Sequence, residues 1–356
     1  MKLTSYNLGA PPPARRSKSG IGDNRDLAEE STTAGALYRC HGLSLFSEIP
    51  LPLPPATADE APEWRISRAP GAASDETAIQ WVEPDPEDAS PLWLITGHSP
   101  KGIHLDFPKY ARFLIQPDAR KILAKPRPGV PERTLGHLLM NQVVPLAMAN
   151  QGYLMLHASA VETPCGAVAF LGPSGAGKTT FATALALRGR RLVTEDIVRF
   201  ELKPGSALCH PCPSPPRLWS DSFDSLLPGE RESAEAVAHY TSKLRMSVEQ
   251  ADAIRFVERP VPLGALIVLD SADGRQSGAP IELKPPAPRE AFEKATTAFL
   301  RIKPHSKDQI RREFDWATSL ARLAPFYSLR FPRDYASLPA VIELLEERFV
   351  TGASPQ

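Results

Sequence analysis

The stretch AVAFLGPSGAGKTTFATALAL, Ala167–Leu187, decides how the rest of the chain is read. Its first five residues form an apolar run that predicts a buried strand. The Gly-rich turn follows, and an apolar, Ala-rich segment predicts a helix over Lys178–Arg188. Gly189 supplies the stop, and Arg188, Arg190 and Arg191 place positive charge where the helix dipole is negative. Residues Gly172–Thr179 fit G-x-x-x-x-G-K-[ST] without departure, and strand before and helix after are the context that this motif requires. Gly175 and Gly177 permit backbone angles and a close approach that a Cβ forbids. The loop's backbone N–H groups then converge on phosphate oxygens, and the helix N-terminus adds positive potential. The nucleotide-binding candidates are therefore Gly172, Pro173, Ser174, Gly175, Ala176, Gly177, Lys178, Thr179 and Thr180. Lys178 is placed to reach the β- and γ-phosphates, and the Thr179 hydroxyl to ligate Mg2+. The expected cofactors are ATP and Mg2+.

Downstream, RGRRLVTED (188–196) places a short strand, Leu192–Thr194, directly after the helix. The strand is expected to run beside the 167–171 strand and to release Glu195 and Asp196 at the phosphate side. Two adjacent carboxylates there have two uses: one holds the metal, the other accepts a proton from an attacking hydroxyl. Upstream, His157 in LMLHASAV lies 15 residues before Gly172, so Leu154–Ser159 is expected to be a neighbouring strand that brings the imidazole to the phosphates or the carboxylates. Lys243 and Arg245 alternate and would share one face of a strand, from which they could grip phosphate; Arg217 is a weaker candidate. Asp270 ends the apolar strand Ala265–Leu269, which looks like a Walker B strand: in a P-loop ATPase it would hold Mg2+, and where Glu195 and Asp196 fill that role it is a strand-ending turn residue. Cys209-His-Pro-Cys212 lacks a second ligand pair and a following helix, which disfavours zinc and redox roles.

The segments HASAV, GPSGAGKTT and RGRRLVTED together resemble the catalytic domain of HPr kinase/phosphorylase, the bacterial serine kinase family. The resemblance is strong over 155–200 and holds only in outline over 200–350. It implies an α/β fold for this part of the chain, a P-loop kinase domain of HPr kinase/PEP carboxykinase-like type. It does not extend to residues 1–150, where short apolar runs between Pro, Gly and Asp clusters over 36–131 read separately as a small mostly-β N-terminal domain. It makes Asp196 the proton acceptor, Lys178 the phosphate lysine and Thr179 the metal-binding hydroxyl. Glu195 stands where the family has an aspartate and is the expected second metal ligand. The family's EIRGLGI-type segment has no counterpart, so phosphorylase activity is not implied. The whole chain resembles the shorter HPr-kinase-related proteins of lasso-type peptide biosynthetic clusters through LYRCHGLSLFSEIPLP, QVVPL, LHASAV and RFPRDYASLPAV. That resemblance implies a serine kinase acting on a ribosomal precursor peptide or protein. Two other readings stay open: a P-loop ATPase or switch without an acceptor, which needs Asp270, and a small-molecule kinase of the same fold.

Further out, composition sets limits. The chain has 356 residues, 41 Lys+Arg against 41 Asp+Glu, and no net charge, which argues against nucleic acid or an anionic membrane as partner. No apolar stretch approaches membrane-spanning length, and four scattered cysteines are not a disulfide framework, so a cytoplasmic location is expected. The 38 prolines, about twice the usual share, imply many loops and edge strands. Residues 1–35 are expected to be a disordered leader, 36–131 a β-rich domain, 132–152 a helical connector kinked at Pro145, 153–349 the kinase domain and 350–356 a tail. Oligomeric state is not encoded in any recognisable pattern.

Overall fold

The His41-Gly42 pair sets the first register of the molecule. In the computed structural model, which describes residues 35–57, 61–69, 78–83, 93–118, 120–238, 241–247, 253–270, 279–302 and 307–351, both adopt positive φ (+51° and +73°). That is the backbone of a two-residue hairpin turn whose twist matches its strands. It joins β1 (Ala36–Cys40) to β2 (Leu43–Ser47), with Cys40 facing Leu43. Six further strands complete this sheet: β3 (Trp64–Arg68), β4 (Ala78–Glu83), β5 (Leu94–Ser99), β6 (Gly102–Phe107), β7 (Ala111–Ile115) and β8 (Lys121–Pro126). Their order is β1-β2-β3-β8-β7-β6-β5-β4. The expected leader, apart from Gly35, and most of the expected tail lie outside the described residues.

Pro145 divides the expected connector helix. α1 (Glu132–Leu138) passes into a π-turn (Leu139–Val143), and α2 (Val144–Asn150) begins with Pro145 in its first turn. Proline has no N–H to donate and its ring clashes with the carbonyl four residues back; the wider turn relieves both problems. Leu135, Leu138, Leu139 and Val143 are buried, and they share one core with Phe107, Phe113 and Ile122 of the sheet and with Met155, Ile197 and Cys212 from later in the chain. Each such side chain contributes on the order of 1.5–3 kcal/mol of burial.

The second sheet holds β9 (Leu154–Leu156), β10 (Ala158–Thr163), β11 (Gly166–Leu171), β12 (Arg191–Thr194), β13 (Val198–Lys203), β14 (Ser206–His210), β18 (Val261–Leu269), β19 (Glu282–Lys284) and β20 (Phe326–Arg330). A small third sheet is β15 (Arg217–Leu218), β17 (Thr241–Arg245) and β16 (Glu235–Ala238). The helices here are α3 (Lys178–Leu187), α4 (Ser220–Leu226), α5 (Pro288–Thr297), α6 (Lys307–Leu323) and α7 (Leu338–Phe349). The fold is thus mixed α/β with several sheets. Among the described residues, no helix is long and apolar enough to cross a membrane.

Two expectations need correcting. Leu154–Ser159 is not one strand: β9 pairs with β13 and β10 with β11, so the chain changes neighbour at His157. And β12 does not lie beside β11. β10 sits between them, antiparallel to both, because the Pro164-Cys165 turn folds β10 directly onto β11 and occupies that edge. β12 therefore runs parallel to β11 one strand away, and its C-terminal end still opens on the edge where the Gly-rich loop emerges.

His41 also ties the sheets together. Its N–H donates to Pro211 O (2.7 Å), and its carbonyl accepts from Arg199 Nη1 (2.7 Å). Burial, then the charges of Arg199 and His210, lower its pKa from 6.5 to about 3. The folded state holds it neutral, whereas the unfolded chain takes up a proton below pH 6.5. Its contribution is therefore intact above pH 6.5 and is lost as pH falls toward 3, at about 1.4 kcal/mol per pH unit. His41→Asn, which tolerates the positive φ, removes this component. The stability difference between wild type and variant, measured by urea unfolding, should shrink by about 2 kcal/mol between pH 7 and pH 5. A pH-independent difference would show that His41 does not carry the linkage.

Candidate active site

The loop between β11 and α3 takes the shape its glycines allow. Gly177 caps α3 at φ +101°, with the Phe181 ring 3.3 Å from where a Cβ would stand, so a larger residue is strained there. No side chain caps α3, which leaves its first N–H groups directed at the loop's concavity and able to receive an anion. Lys178 is buried and folds back, with Nζ donating to Gly172 O (2.9 Å) and Pro173 O (3.0 Å). Burial, opposed by Asp196, lowers its pKa to about 8.

Across from the loop, the strand end at Thr194 turns sharply. The Ile197 N–H donates to Glu195 O (2.8 Å), and Asp196 at the apex has φ +68°, a conformation that aspartate tolerates better than most residues. The Thr194 hydroxyl donates to Ile197 O (2.8 Å) and holds the turn closed. Successive residues of a straight strand would point to opposite faces. This turn instead lets both carboxylates reach one guanidinium. Arg217, only 3% exposed, bonds Glu195 Oε1 through Nε and donates from Nη2 to Asp196 Oδ2 (2.9 Å), while its Nη1 lies 3.1 Å from His137 Nδ1 on α1.

The two carboxylates are pushed in opposite directions. Burial raises the Glu195 pKa against the pull of Arg217, with the charge of Asp196 adding to the rise. Burial would raise Asp196 too, but His157, Arg217, Lys243 and Lys178 together outweigh it and hold Asp196 well below the usual carboxylate range. Asp196 is ionised throughout the physiological range. His157 Nε2 lies 3.5 Å from Asp196 Oδ1. Asp196 pulls its pKa up, but burial and the charges of Lys178, Lys243 and Arg217 win and lower it. Ser159, fully buried on β10, joins the two halves: its Oγ accepts the Asp196 N–H (3.3 Å) and lies 3.5 Å from Thr179 Oγ1.

A cavity of about 330 Å³, within the range of small-molecule sites, opens between these elements. Ser174 to Thr180, His157, Asp196 and Lys243 line it; Gly172, Pro173, Glu195 and Arg245 are not in its lining. Lys243 reaches it from β17, over the Trp219 ring (5.3 Å to the centroid). Arg245 lies opposite Arg217 across β15 and β17 and is buried. Asp270 pairs with Arg330 (3.0 Å) and does not line the cavity. Cys209 and Cys212 are buried free thiols. Arg217, the weaker candidate of the sequence, is the centre of the carboxylate cluster, and Ser159, Trp219, Arg333 and Tyr335 are site residues that the sequence does not single out.

The donor set suits a hard divalent cation. Thr179 Oγ1 lies 3.5 Å from Glu195 Oε2 at the start of α3, and both are oxygen donors. Among the described residues, no group of three or more His, Cys, Asp or Glu forms an all-protein cage. Mg2+ does not need one, since it is usually held by one or two protein oxygens, substrate phosphates and water.

No family model matches the chain, and no curated protein matches it. Among solved structures, it is similar to the Hpr(Ser) kinase/phosphatase from Coxiella burnetii. The match covers 55% of this chain and 95% of that one, at 11% identity and a TM-score of 0.28. A superposition this loose supports no transfer of residue roles.

Proposed function

We propose that the chain is an ATP-dependent, magnesium-requiring kinase. It transfers the γ-phosphoryl group to a serine hydroxyl of a peptide or protein, in the manner of the HPr-kinase-related enzymes of lasso-type peptide clusters. One observation carries this reading. A loop built for phosphate, with Lys178 and Thr179, shares a single cavity with an ionised Asp196 that Arg217 and His157 hold in place.

The chain's own residues have these tasks. The loop N–H groups from Ser174 to Thr180 hold the phosphates. Lys178 exchanges its two carbonyl partners for phosphate oxygens. Thr179 and Glu195 would hold Mg2+, which when bound neutralises charge on the phosphate oxygens. Lys243 adds positive charge from the facing wall. Asp196 accepts a hydrogen bond from the serine hydroxyl and orients it. It takes the proton as the new O–P bond forms and the bond to the β-phosphate breaks. A carboxylate held this far below its ordinary range is a weak proton acceptor before reaction, so orientation is the larger part of its role. The ATPase alternative loses support because Asp270, the residue it needs, is committed to Arg330 outside the cavity.

The test is transfer from γ-labelled ATP with Mg2+ to the low-mass peptide fraction of the native host. Label on a peptide serine is expected. Free phosphate alone would move the assignment to an ATPase, and label on a non-peptide metabolite to a small-molecule kinase.

A further inference from the structure

Two hydrogen-bond paths leave the first turn of α3 in different directions. Thr179 leads to Ser159 and Glu195. Thr180, about 100° further round the helix, leads elsewhere: its hydroxyl donates to Ser222 Oγ (3.3 Å), which is bonded to Tyr335 Oη (2.8 Å). Tyr335 belongs to the segment Phe331–Leu338, which follows β20 and returns over the loop. Arg333 Nη2 donates to Gly175 O (2.9 Å), and the Phe331 ring packs edge-on against Phe181 (4.9 Å between centroids). The cavity lining thus includes Lys178, Asp196, Arg217 and Lys243 and, in the wall that this segment and α7 supply, Phe331, Tyr335, Leu338 and Val341 beside the charged Arg333 and Asp334.

Tyr335 is unusual in being both fixed and exposed. It opens a short 3-10 turn that Asp334 caps by accepting the Ser337 N–H (2.8 Å), and the Ser337 hydroxyl donates to Pro332 O (3.1 Å). Its hydroxyl is bonded, yet the residue is 39% exposed. The other exposed large apolar residues among those described, Ile310 and Phe314, lie on α6 and do not line the cavity. An aromatic ring held rigid at the mouth of a phosphate-binding cavity is a preorganised stacking surface. Bases stack on such rings whatever their edges carry.

We propose that Phe331–Leu338 is the nucleoside wall of this site, with the Tyr335 ring stacking against the nucleobase of a bound nucleoside triphosphate. This rests on the reading of the 172–179 loop as the triphosphate cradle, and the experiment separates the two. Binding of MgATP and of magnesium tripolyphosphate, which has the phosphates but no nucleoside, is measured by calorimetry on wild type, Tyr335→Ala and Tyr335→Phe. Tyr335→Ala should weaken MgATP about tenfold or more and change tripolyphosphate by less than about twofold. Tyr335→Phe keeps the ring, loses only the link to Ser222, and should restore most of the ATP affinity. Unchanged ATP affinity in Tyr335→Ala overturns the proposal. So does an equal loss for both ligands, which would make Tyr335 a prop for the loop. So does a wild type that binds tripolyphosphate as tightly as MgATP, although the phosphate cradle would then stand. A wild type that binds neither ligand would remove the cradle itself, and the wall with it.

Discussion

Asp196→Asn should lower phosphoryl transfer by about 10²- to 10⁴-fold while MgATP binds at least as tightly as before. The carboxamide keeps the shape of the side chain and can still accept from Arg217, so the turn at Glu195–Asp196 has no reason to collapse. What it loses is the negative charge that Lys178, Lys243, Arg217 and His157 stabilise. In the resting site that charge opposes an incoming polyphosphate, so its removal favours nucleotide binding. In the proposed reaction the same charge would orient the serine hydroxyl and receive its proton, so its removal should disable transfer. Opposite signs for the two effects distinguish an acceptor-orienting carboxylate from a metal ligand, whose loss would weaken both. Single-turnover transfer with γ-labelled ATP, beside calorimetric MgATP binding, reads them separately. Turnover within about fivefold of wild type would remove Asp196 from the reaction, since a positioned base contributes far more than that.

The parts of this site that could be read in the sequence are those whose geometry is set locally. The strand, glycine loop and helix at Gly166–Leu187 occupy consecutive residues, so motif and context appear together. Glu195 and Asp196 follow one short strand later, and the edge they reach does not depend on whether β12 neighbours β11 or stands one strand away. Arg217 is different. Its importance comes from β15, a strand of two residues paired with β17, which carries it to carboxylates 21 and 22 residues earlier and to His137, 80 residues earlier. Nothing in the PRLW sequence around it signals that return. Tyr335 was equally illegible, because Ser222, its partner, is 113 residues away. Among the strands, β8 is hard to read because Lys121, Lys125 and Pro126 mask its apolar alternation. The β13–β14 hairpin carries a local signal, since Phe200 and Leu202 alternate with polar residues before a Pro204-Gly205 turn.

Arg217→Met should destabilise the fold by about 3–5 kcal/mol, the scale seen when one partner of a buried ion pair is removed. Arg217 is 3% exposed and Glu195, at its side-chain atoms, 2%, so water cannot replace the lost contact. The methionine fills much of the volume, so the loss measures stranded charge more than a cavity. Arg217→Lys keeps the charge but not the planar fork, and one ammonium cannot serve Glu195, Asp196 and His137 at once; it should recover only part of the stability. The decisive variant is the double one. If the penalty comes from an orphaned carboxylate, Glu195→Gln in the Arg217→Met background should restore stability, whereas Glu195→Gln alone should reduce it. That reversal of sign in a double-mutant cycle, measured by urea unfolding, cannot arise from lost packing around the methionine, which Glu195→Gln leaves unchanged. Additive losses would instead mean that Arg217 stabilises the fold independently of the carboxylates it touches. Even where the double variant regains stability, it should remain inactive. Glu195→Gln removes a proposed metal ligand, and without the guanidinium the Asp196 carboxylate keeps only His157 to hold it toward the cavity.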